Sequence, residues 1–423
     1  MKTLDLVAIC CEPDRIEEAL QVKSRLPTIK RLPDCAPGTV ITWGELVSKG
    51  REAGAAVAPP AEYLEDQICY ITATSGTTGK PKLVVHCHES LLATVQANSH
   101  PRHLGLGEED VLLCTSMLCH VYALFDCVCK AIVQGASAAF LEEGDIDALL
   151  RAVQEHRVTT LSTVPYTARC LLEHERRKEF DLSSLRYMTT AGTSIAEDVA
   201  RGLFEELKLK TYAQLYGQTE LIFISAGFYG EPSNFKSMGR LAMGVEAMVR
   251  DADTGKPLGP HEPGELVLRS PGIMRGYWGR LDEPVTDDQG WYRTGDLCYY
   301  DEEGWLYLVQ RLSEMFYCRN TKVAPAEVEA ALLKCPEVED CVVVGLPNPE
   351  TGHLAHAAVV AKPGAESLGD EYFLRFVEAN VPRDYRLEGG LTFVDEIPRN
   401  KLGKFMRPYL LRWVLEQRER GLK

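Results

Sequence analysis

From Val111 to Leu215, short apolar runs alternate with amphipathic stretches, and this rhythm limits the fold more than any other feature of the chain. VLLCTSML (111–118), SAAFLE (137–142), VTTLSTV (158–164), LRYMTTAG (185–192) and a run at 211–215 read as strands. Helical spacing occupies 88–98, 121–134, 146–156, 166–178 and 195–208. Strands that are apolar along their whole length need cover on both faces, so the pattern predicts an α/β fold with largely buried sheets.

The texture changes near residue 238. VEAMVRD, GELVLRSPG, GWYRTGDL and GWLYLVQR are short β-type runs separated by Gly and Pro turns, the signature of an antiparallel, hairpin-rich subdomain. Beyond Arg311 another unit begins: a helix at 325–334, apolar runs at 341–346 and 355–364, a helix at 370–380, LTFVDEIP at 391–398 and a final helix near 406–419. The expected architecture is a large layered α/β amino-terminal domain with an antiparallel β subdomain, residues 1–309, and a small mobile α+β carboxyl-terminal domain, residues 310–423.

Charge narrows the function. The 46 Lys and Arg against 61 Asp and Glu leave a formal net charge of −15, which argues against general binding to nucleic acid or an anionic membrane surface. The longest apolar-rich region, Val111 to Leu141, is interrupted by His120, Asp126 and Lys130 and is not expected to span a membrane. The amino terminus makes a poor signal peptide, and the final Gly-Leu-Lys is not a Ser-Lys-Leu peroxisomal address, so a cytoplasmic location is expected. Fourteen cysteines form no Cys-x-x-Cys pair and read as buried free thiols, with Cys69, Cys114, Cys119, Cys127, Cys129 and Cys341 in apolar-rich stretches. The group Cys114, Cys119, His120, Cys127 and Cys129 has no recognisable zinc spacing, and no zinc site is expected there.

The chemistry-bearing stretches stand in a fixed order. DQICYITA ends in Thr74-Ser75-Gly76-Thr77-Thr78-Gly79-Lys80-Pro81-Lys82, where glycines let backbone N–H groups approach phosphate oxygens and lysines neutralise charge. Taken alone this reads more readily as a solvated turn, and it is not a Walker A loop. Tyr216-Gly217-Gln218-Thr219-Glu220, Tyr292-Arg293-Thr294-Gly295-Asp296, Arg311 and Pro398-Arg399-Asn400-Lys401-Leu402-Gly403-Lys404 follow. Together these segments resemble the core motifs of the adenylate-forming superfamily: acyl-CoA synthetases, 4-coumarate–CoA ligase-like and luciferase-like enzymes.

The resemblance implies ATP- and Mg2+-dependent activation of a small-molecule carboxylic acid to an acyl-adenylate, then transfer to coenzyme A by an AMP-forming acid–thiol ligase. It implies that Thr74, Ser75, Gly76, Thr77, Thr78, Gly79 and Lys82 cradle the ATP phosphates and that Thr219 binds phosphate beside Glu220, the Mg2+ ligand. Gln214, Leu215 and Tyr216 would face adenine, with Gly192 in the loop on its other side. Asp296 would accept the ribose hydroxyls, Arg311 would meet ribose or phosphate, and Lys404 would bridge carboxylate and α-phosphate. His120 in LCHVYALF resembles the acid-contacting histidine, with Tyr122 and Phe223 lining a pocket suited to an aryl or medium aliphatic acid.

Two departures set this chain apart. Its first fifty residues resemble the middle of the family's large domain, so the expectation is an amino-terminally shortened member. At the hinge, Gln310 replaces an Asp, Tyr317 a Lys, and Asn320 the Gly that lines the thiol approach, which favours adenylation over thioester formation. The competing reading is a shortened, non-catalytic homologue that binds nucleotide or an acyl group and regulates.

Overall fold

The computed structural model describes residues 67–74, 82–141, 145–319, 321–399 and 405–419. The first pair of strands, β1 (Ile68–Thr74) and β2 (Lys82–Cys87), is antiparallel with Thr74 opposite Lys82. Helix α1 (His88–Asn98) starts where the Cys87 amide donates to Ser90 Oγ at 3.1 Å, and the short α2 (Pro101–Leu104) follows.

A seven-stranded sheet forms the centre, in the order β4-β3-β5-β6-β7-β8-β9. Its strands are β3 (Val111–Cys114), β4 (Ser137–Phe140), β5 (Thr160–Thr163), β6 (Tyr187–Ala191), β7 (Thr211–Gln218), β8 (Leu221–Ala226) and β9 (Arg240–Leu241). The first five strands along the sheet are parallel, as the apolar alternation requires, and β8 and β9 join antiparallel. The sequence reading placed no strand at β8: the turn at Thr219-Glu220 sends the chain straight back along β7.

The stretch 121–134, expected as one helix, is a π-helical segment (Ala123–Cys129) continuing into α3 (Lys130–Gln134), which ends at Gly135 with φ 75°. On the opposite face of the sheet lie α4 (Ile146–His156), α5 (Pro165–Glu173) and α6 (Glu197–Glu206). Helix α4 shows why: Asp145 accepts from the Ala148 amide at 2.8 Å, and Leu149, Leu150 and Val153 recur on one side. They pack with Leu161, Met188 and Leu203 in the largest core, each such side chain contributing roughly 1.5–3 kcal/mol of burial free energy.

The hairpin-rich texture becomes the four-stranded antiparallel sheet β10 (Glu246–Arg250), β11 (Gly264–Arg269), β13 (Tyr292–Tyr300) and β14 (Leu306–Arg311), while β12 (Gly276–Tyr277) returns to pair with β2. The last unit folds β15 (Phe316–Cys318), β16 (Thr321–Val323), β17 (Val338–Asn348), β18 (Gly352–Ala361) and β19 (Leu391–Phe393) into one sheet. Helices α7 (Pro325–Leu332) and α8 (Asp370–Asn380) share one apolar core with it, and α9 (Arg407–Glu419) contributes to another.

Thiol burial follows local exposure rather than apolar surroundings. Cys114, Cys127 and Cys341 are buried as expected, whereas Cys69, near the start of β1, and Cys119, in the turn before the π-helical segment, are exposed and Cys129 is intermediate. No described helix is long and apolar enough to cross a membrane.

Candidate functional site

The parallel strands β6 and β7 end at Ala191 and Leu215, and the site builds from that edge. Gly192 has φ 99°, a conformation that suits glycine, and it turns the chain away from β6. Gln214 is buried, its amide donating to the Phe235 carbonyl at 3.2 Å and its oxygen accepting from the Ile195 amide at 3.4 Å. Leu215 is half-buried and Tyr216 fully buried. Gly217 is obligatory for steric reasons: a Cβ there would sit 2.0 Å from the Ile222 carbonyl oxygen of the returning strand.

Alternation along β7 sends Tyr216 and Gln218 to the same side, and both reach the same carboxylate on β13. Asp296 is 1% exposed; its Oδ2 accepts from the Tyr216 hydroxyl at 2.5 Å and from Gln218 Nε2 at 2.7 Å. Its Oδ1 lies 3.1 Å from Arg311 Nε, because Asp296 and Arg311 are register partners across β13 and β14. Burial works against the Arg311 charge, but Asp296, Tyr216, Glu314 and Glu220 together outweigh it and hold the guanidinium above its ordinary range. Burial and the Asp296 charge push the Tyr216 hydroxyl well up, so it stays a neutral donor.

Glu220 occupies the β7–β8 turn, half-exposed. Its Oε1 accepts from the Tyr277 hydroxyl at 2.9 Å, and its carbonyl accepts from the Met274 amide at 2.8 Å. The neighbouring Thr219 carbonyl lies 2.9 Å from Nε2 of the fully buried His86, whose protonation burial disfavours. Lys82 places its ammonium 5.1 Å from the centre of the Tyr277 ring, on the strand next to β12. Thr74, its register partner, is half-buried at the end of β1. The Lys82 end of the glycine-rich stretch therefore stands beside Tyr277 and, through it, Glu220, while Thr74 lies one strand further out on the other side of β2. Ser75, Gly76, Thr77, Thr78 and Gly79 lie outside the described residues, as do Asn320 and Lys404.

His120 is half-buried just before the π-helical segment, with Nδ1 3.3 Å from the Tyr122 amide. Tyr122 is buried, its hydroxyl hydrogen-bonded to Thr189 Oγ1 at 3.0 Å, on the sheet face away from α4 to α6. Phe223 is buried with Ala97, Ala226 and Ala242, its ring edge-on to His103 at 5.0 Å.

Sequence reasoning missed three supports. Gln218 and Tyr216 as holders of Asp296 had a usable signal, the two-residue spacing inside YGQTE. Tyr277 at Glu220 had none, since only the β2–β12 pairing brings it there. The buried Lys130–Asp126 pair, 2.6 Å apart, showed in the sequence only as charges interrupting an apolar run. At the hinge, Gln310 is buried, its oxygen accepting from the Ala326 amide at 2.7 Å and its amide donating to Glu314 at 3.0 Å. Tyr317 is 52% exposed, and Arg319, left-handed at φ 56°, pairs with Asp384 at 3.1 Å and Glu388 at 2.6 Å.

Comparison with known proteins gives the same arrangement a lineage. The chain is 34% identical over 349 residues to 4-coumarate–CoA ligase-like 2 of Arabidopsis thaliana, covering 81% of this chain and 61% of that protein. It is 32% identical over 354 residues to peroxisomal OPC-8:0-CoA ligase 1 of the same plant, covering 82% and 64%. The chain thus spans about three fifths of the length of the curated relatives it matches. Among solved structures, ATP-bound MatB from Rhodopseudomonas palustris superposes with a TM-score of 0.83 at 25% identity, covering 96% of this chain and 78% of that one. The amide bond synthetase McbA from Marinactinospora thermotolerans follows at 0.78 and 28%, covering 95% and 79%. Residues 7–278 match the AMP-binding enzyme family and residues 327–404 its C-terminal domain, and the chain belongs to that family.

Proposed function

We propose that the protein activates an organic carboxylic acid with ATP and passes the acyl group to coenzyme A. In the first step a carboxylate oxygen attacks the α-phosphorus, the bond to the bridging β-phosphate oxygen breaks, and pyrophosphate leaves. In the second the thiolate of coenzyme A attacks the acyl carbonyl and AMP leaves, the thiol proton passing to solvent. The observation that carries this reading is the buried Asp296 carboxylate. Tyr216, Gln218 and Arg311 all present donors to it, and its place in the YRTGD motif resembles that of the carboxylate expected to accept the ribose hydroxyls.

Around it we assign Gln214, Leu215, Tyr216 and Gly192 to adenine, Arg311 to ribose or phosphate, and Thr74 to Gly79, Lys82 and Thr219 to the phosphates. Glu220 suits Mg2+: it is a carboxylate at an accessible turn, already oriented by Tyr277, and hard cations take oxygen ligands. Mg2+ bound there would neutralise phosphate charge. His120 would meet the acid's carboxylate, with Tyr122 and Phe223 along the pocket. Lys404 would bring its ammonium to the charge developing between carboxylate and α-phosphate, where a fixed positive group favours the transition state most. We divide the chain into residues 1–309 and 310–423 on this scheme, and assign it to the cytoplasm with a small-molecule acid as its partner. Relatives named as CoA ligases support coenzyme A as the acceptor.

The test is pyrophosphate release from ATP and Mg2+ across a panel of acids, with and without coenzyme A. Acid-dependent release that needs Lys404 is expected. Wild-type rates in Lys404→Ala would overturn the assigned mechanism, and ATP binding without release from any acid would leave only a binding protein.

A further inference from the structure

The sheet face that carries Tyr122 has a polar floor that nothing described so far employs. Tyr187, Thr189 and Ala191 alternate onto that face from β6, and their register partners Thr211, Ala213 and Leu215 do so from β7. Ala191 and Leu215 stand at the end assigned to the nucleotide. Four residues further down the strands, about 13 Å away at roughly 3.3 Å per residue, Tyr187 and Thr211 close the other end. Between them and α2 and α3 lies a cavity of about 10 Å³, room for one water-sized group, with His103, Lys130, Thr189 and Thr211 on its walls.

These walls carry unused hydrogen-bonding capacity. His103 is 4% exposed, yet neither ring nitrogen has a hydrogen-bond partner among the described residues, and the same holds for Oγ1 of Thr211, 5% exposed. Lys130, 1% exposed, spends one of its three N–H bonds on Asp126 Oδ1 at 2.6 Å. Buried polar atoms are nearly always paired, so several facing one small cavity mark a place where a polar group belongs. The floor is also charge-balanced. Asp126 neutralises Lys130, and burial, helped by the nearby Lys130 charge, pushes His103 down to about 3, so its ring is neutral. A second carboxylate would arrive as a buried charge with no counter-ion left to meet it.

We propose that this cavity is the far end of the acid pocket and that it receives an uncharged oxygen, a ketone or hydroxyl, at the distal end of the acid. The inference rests on the proposed acid activation and narrows its substrate class, from an apolar acid to one bearing a neutral oxygen about 13 Å from the adenylate end. An extended chain advances about 1.2 Å per bond, so the span takes about eleven bonds and acids of roughly eleven to thirteen carbons reach the floor.

The probes are straight-chain acids in that range and their counterparts with a ketone next to the terminal carbon. Binding is read by calorimetry and turnover by pyrophosphate release, for wild type, Thr211→Val and His103→Phe. At the matching length the keto acid is expected to be preferred at least roughly tenfold, and that ratio should collapse toward one in either variant, because the plain acid leaves buried donors unmet. Melting temperature identifies any variant that fails to fold, and Thr211→Val, nearly equal in shape, is the safer of the two. Equal use of keto and plain acids at every length, a water in the cavity with no preference between them, or a preference that survives both substitutions overturns the proposal. A keto-acid preference in binding without pyrophosphate release would overturn acid activation while leaving the polar subsite standing.

Discussion

Replacing Asp296 with Asn separates charge from shape at the centre of the candidate site. Three donors reach this carboxylate: Arg311 Nε at 3.1 Å, Gln218 Nε2 at 2.7 Å and the Tyr216 hydroxyl at 2.5 Å. Asn offers one oxygen and one NH2, so whichever way the amide turns, a donor faces a donor. Leaving one buried donor unmet costs about 1–3 kcal/mol. The Arg311 side chain is 40% exposed and regains water, so its lost ion pair adds no more than about 1 kcal/mol. A ribose hydroxyl would lose a charge-assisted hydrogen bond worth about 1.5–3 kcal/mol, which weakens ATP binding by roughly ten- to a hundredfold. Denaturant unfolding reads the first effect and calorimetry with ATP the second. An Asp296→Asn protein that folds normally and binds ATP within about twofold of wild type would refute the assignment of this carboxylate to ribose.

Three further perturbations probe the surroundings. Gly217→Ala drives a methyl into the Ile222 carbonyl 2.0 Å away, and a loss of about 1–3 kcal/mol or more is expected by thermal melting; an unchanged melt would mean that the β7–β8 turn is not as tight as described. Lys130→Met strands a buried Asp126 and should cost about 3–5 kcal/mol, whereas Lys130→Met with Asp126→Leu should recover most of it apart from the Ser162 and Thr189 hydroxyls that lose their acceptor; equal losses in the single and double variants would deny the pair its energetic coupling. His103 and His356 are 4% and 2% exposed, and burial pushes them down to about 3 and about 4. As pH falls through the ordinary histidine value of about 6.5, the unfolded chain takes up protons that the folded one refuses. Each histidine should therefore remove about 1.4 kcal/mol of stability per pH unit between roughly pH 6 and 4. Denaturant titrations at several pH values should show that slope, and His103→Phe should remove the His103 share of it, about 1.4 kcal/mol per pH unit.

The sequence exposes local order more readily than convergence. The helices at 88–98, 146–156 and 370–380 fall on the expected residues because local spacing decides them, helped at the first two by contacts at Ser90 and Asp145. The segment after His120 was expected as a plain helix. Its π-helical turn brings Asp126 to Ser162 and Thr189 on the sheet, contacts that spacing does not encode, whereas its pairing with Lys130 is a local i,i+4 contact. The antiparallel return of β8 was hidden for a similar reason: Leu221 to Ala226 is buried throughout and shows no two-residue alternation from which a strand could be read. Asp296 and Glu220 stood out through their motifs, while Tyr277, which orients Glu220, comes from a strand that pairs with β2 and has no neighbour in sequence to announce it.

These supports join the two candidate carboxylates into one unit. The Gln218 amide nitrogen donates both to Asp296 and to the Thr294 carbonyl at 2.9 Å, while its oxygen accepts from the Tyr292 hydroxyl at 3.2 Å. Its orientation is therefore fixed from both ends, and it fixes Asp296 in turn. Burial first, and the Glu220 charge next, push the Tyr292 and Tyr277 hydroxyls upward, so both remain protonated donors at neutral pH. Tyr277 spends that proton on Glu220, and Tyr292 spends its own on Gln218. Arg311 receives support from Asp296 and, more weakly, from Glu220. A wall of neutral donors between two carboxylates preorganises both for cationic or hydroxyl-bearing ligands without placing the negative charges in contact. That arrangement suits the nucleotide proposed above, whose ribose would meet Asp296 and whose phosphates would lie toward Glu220.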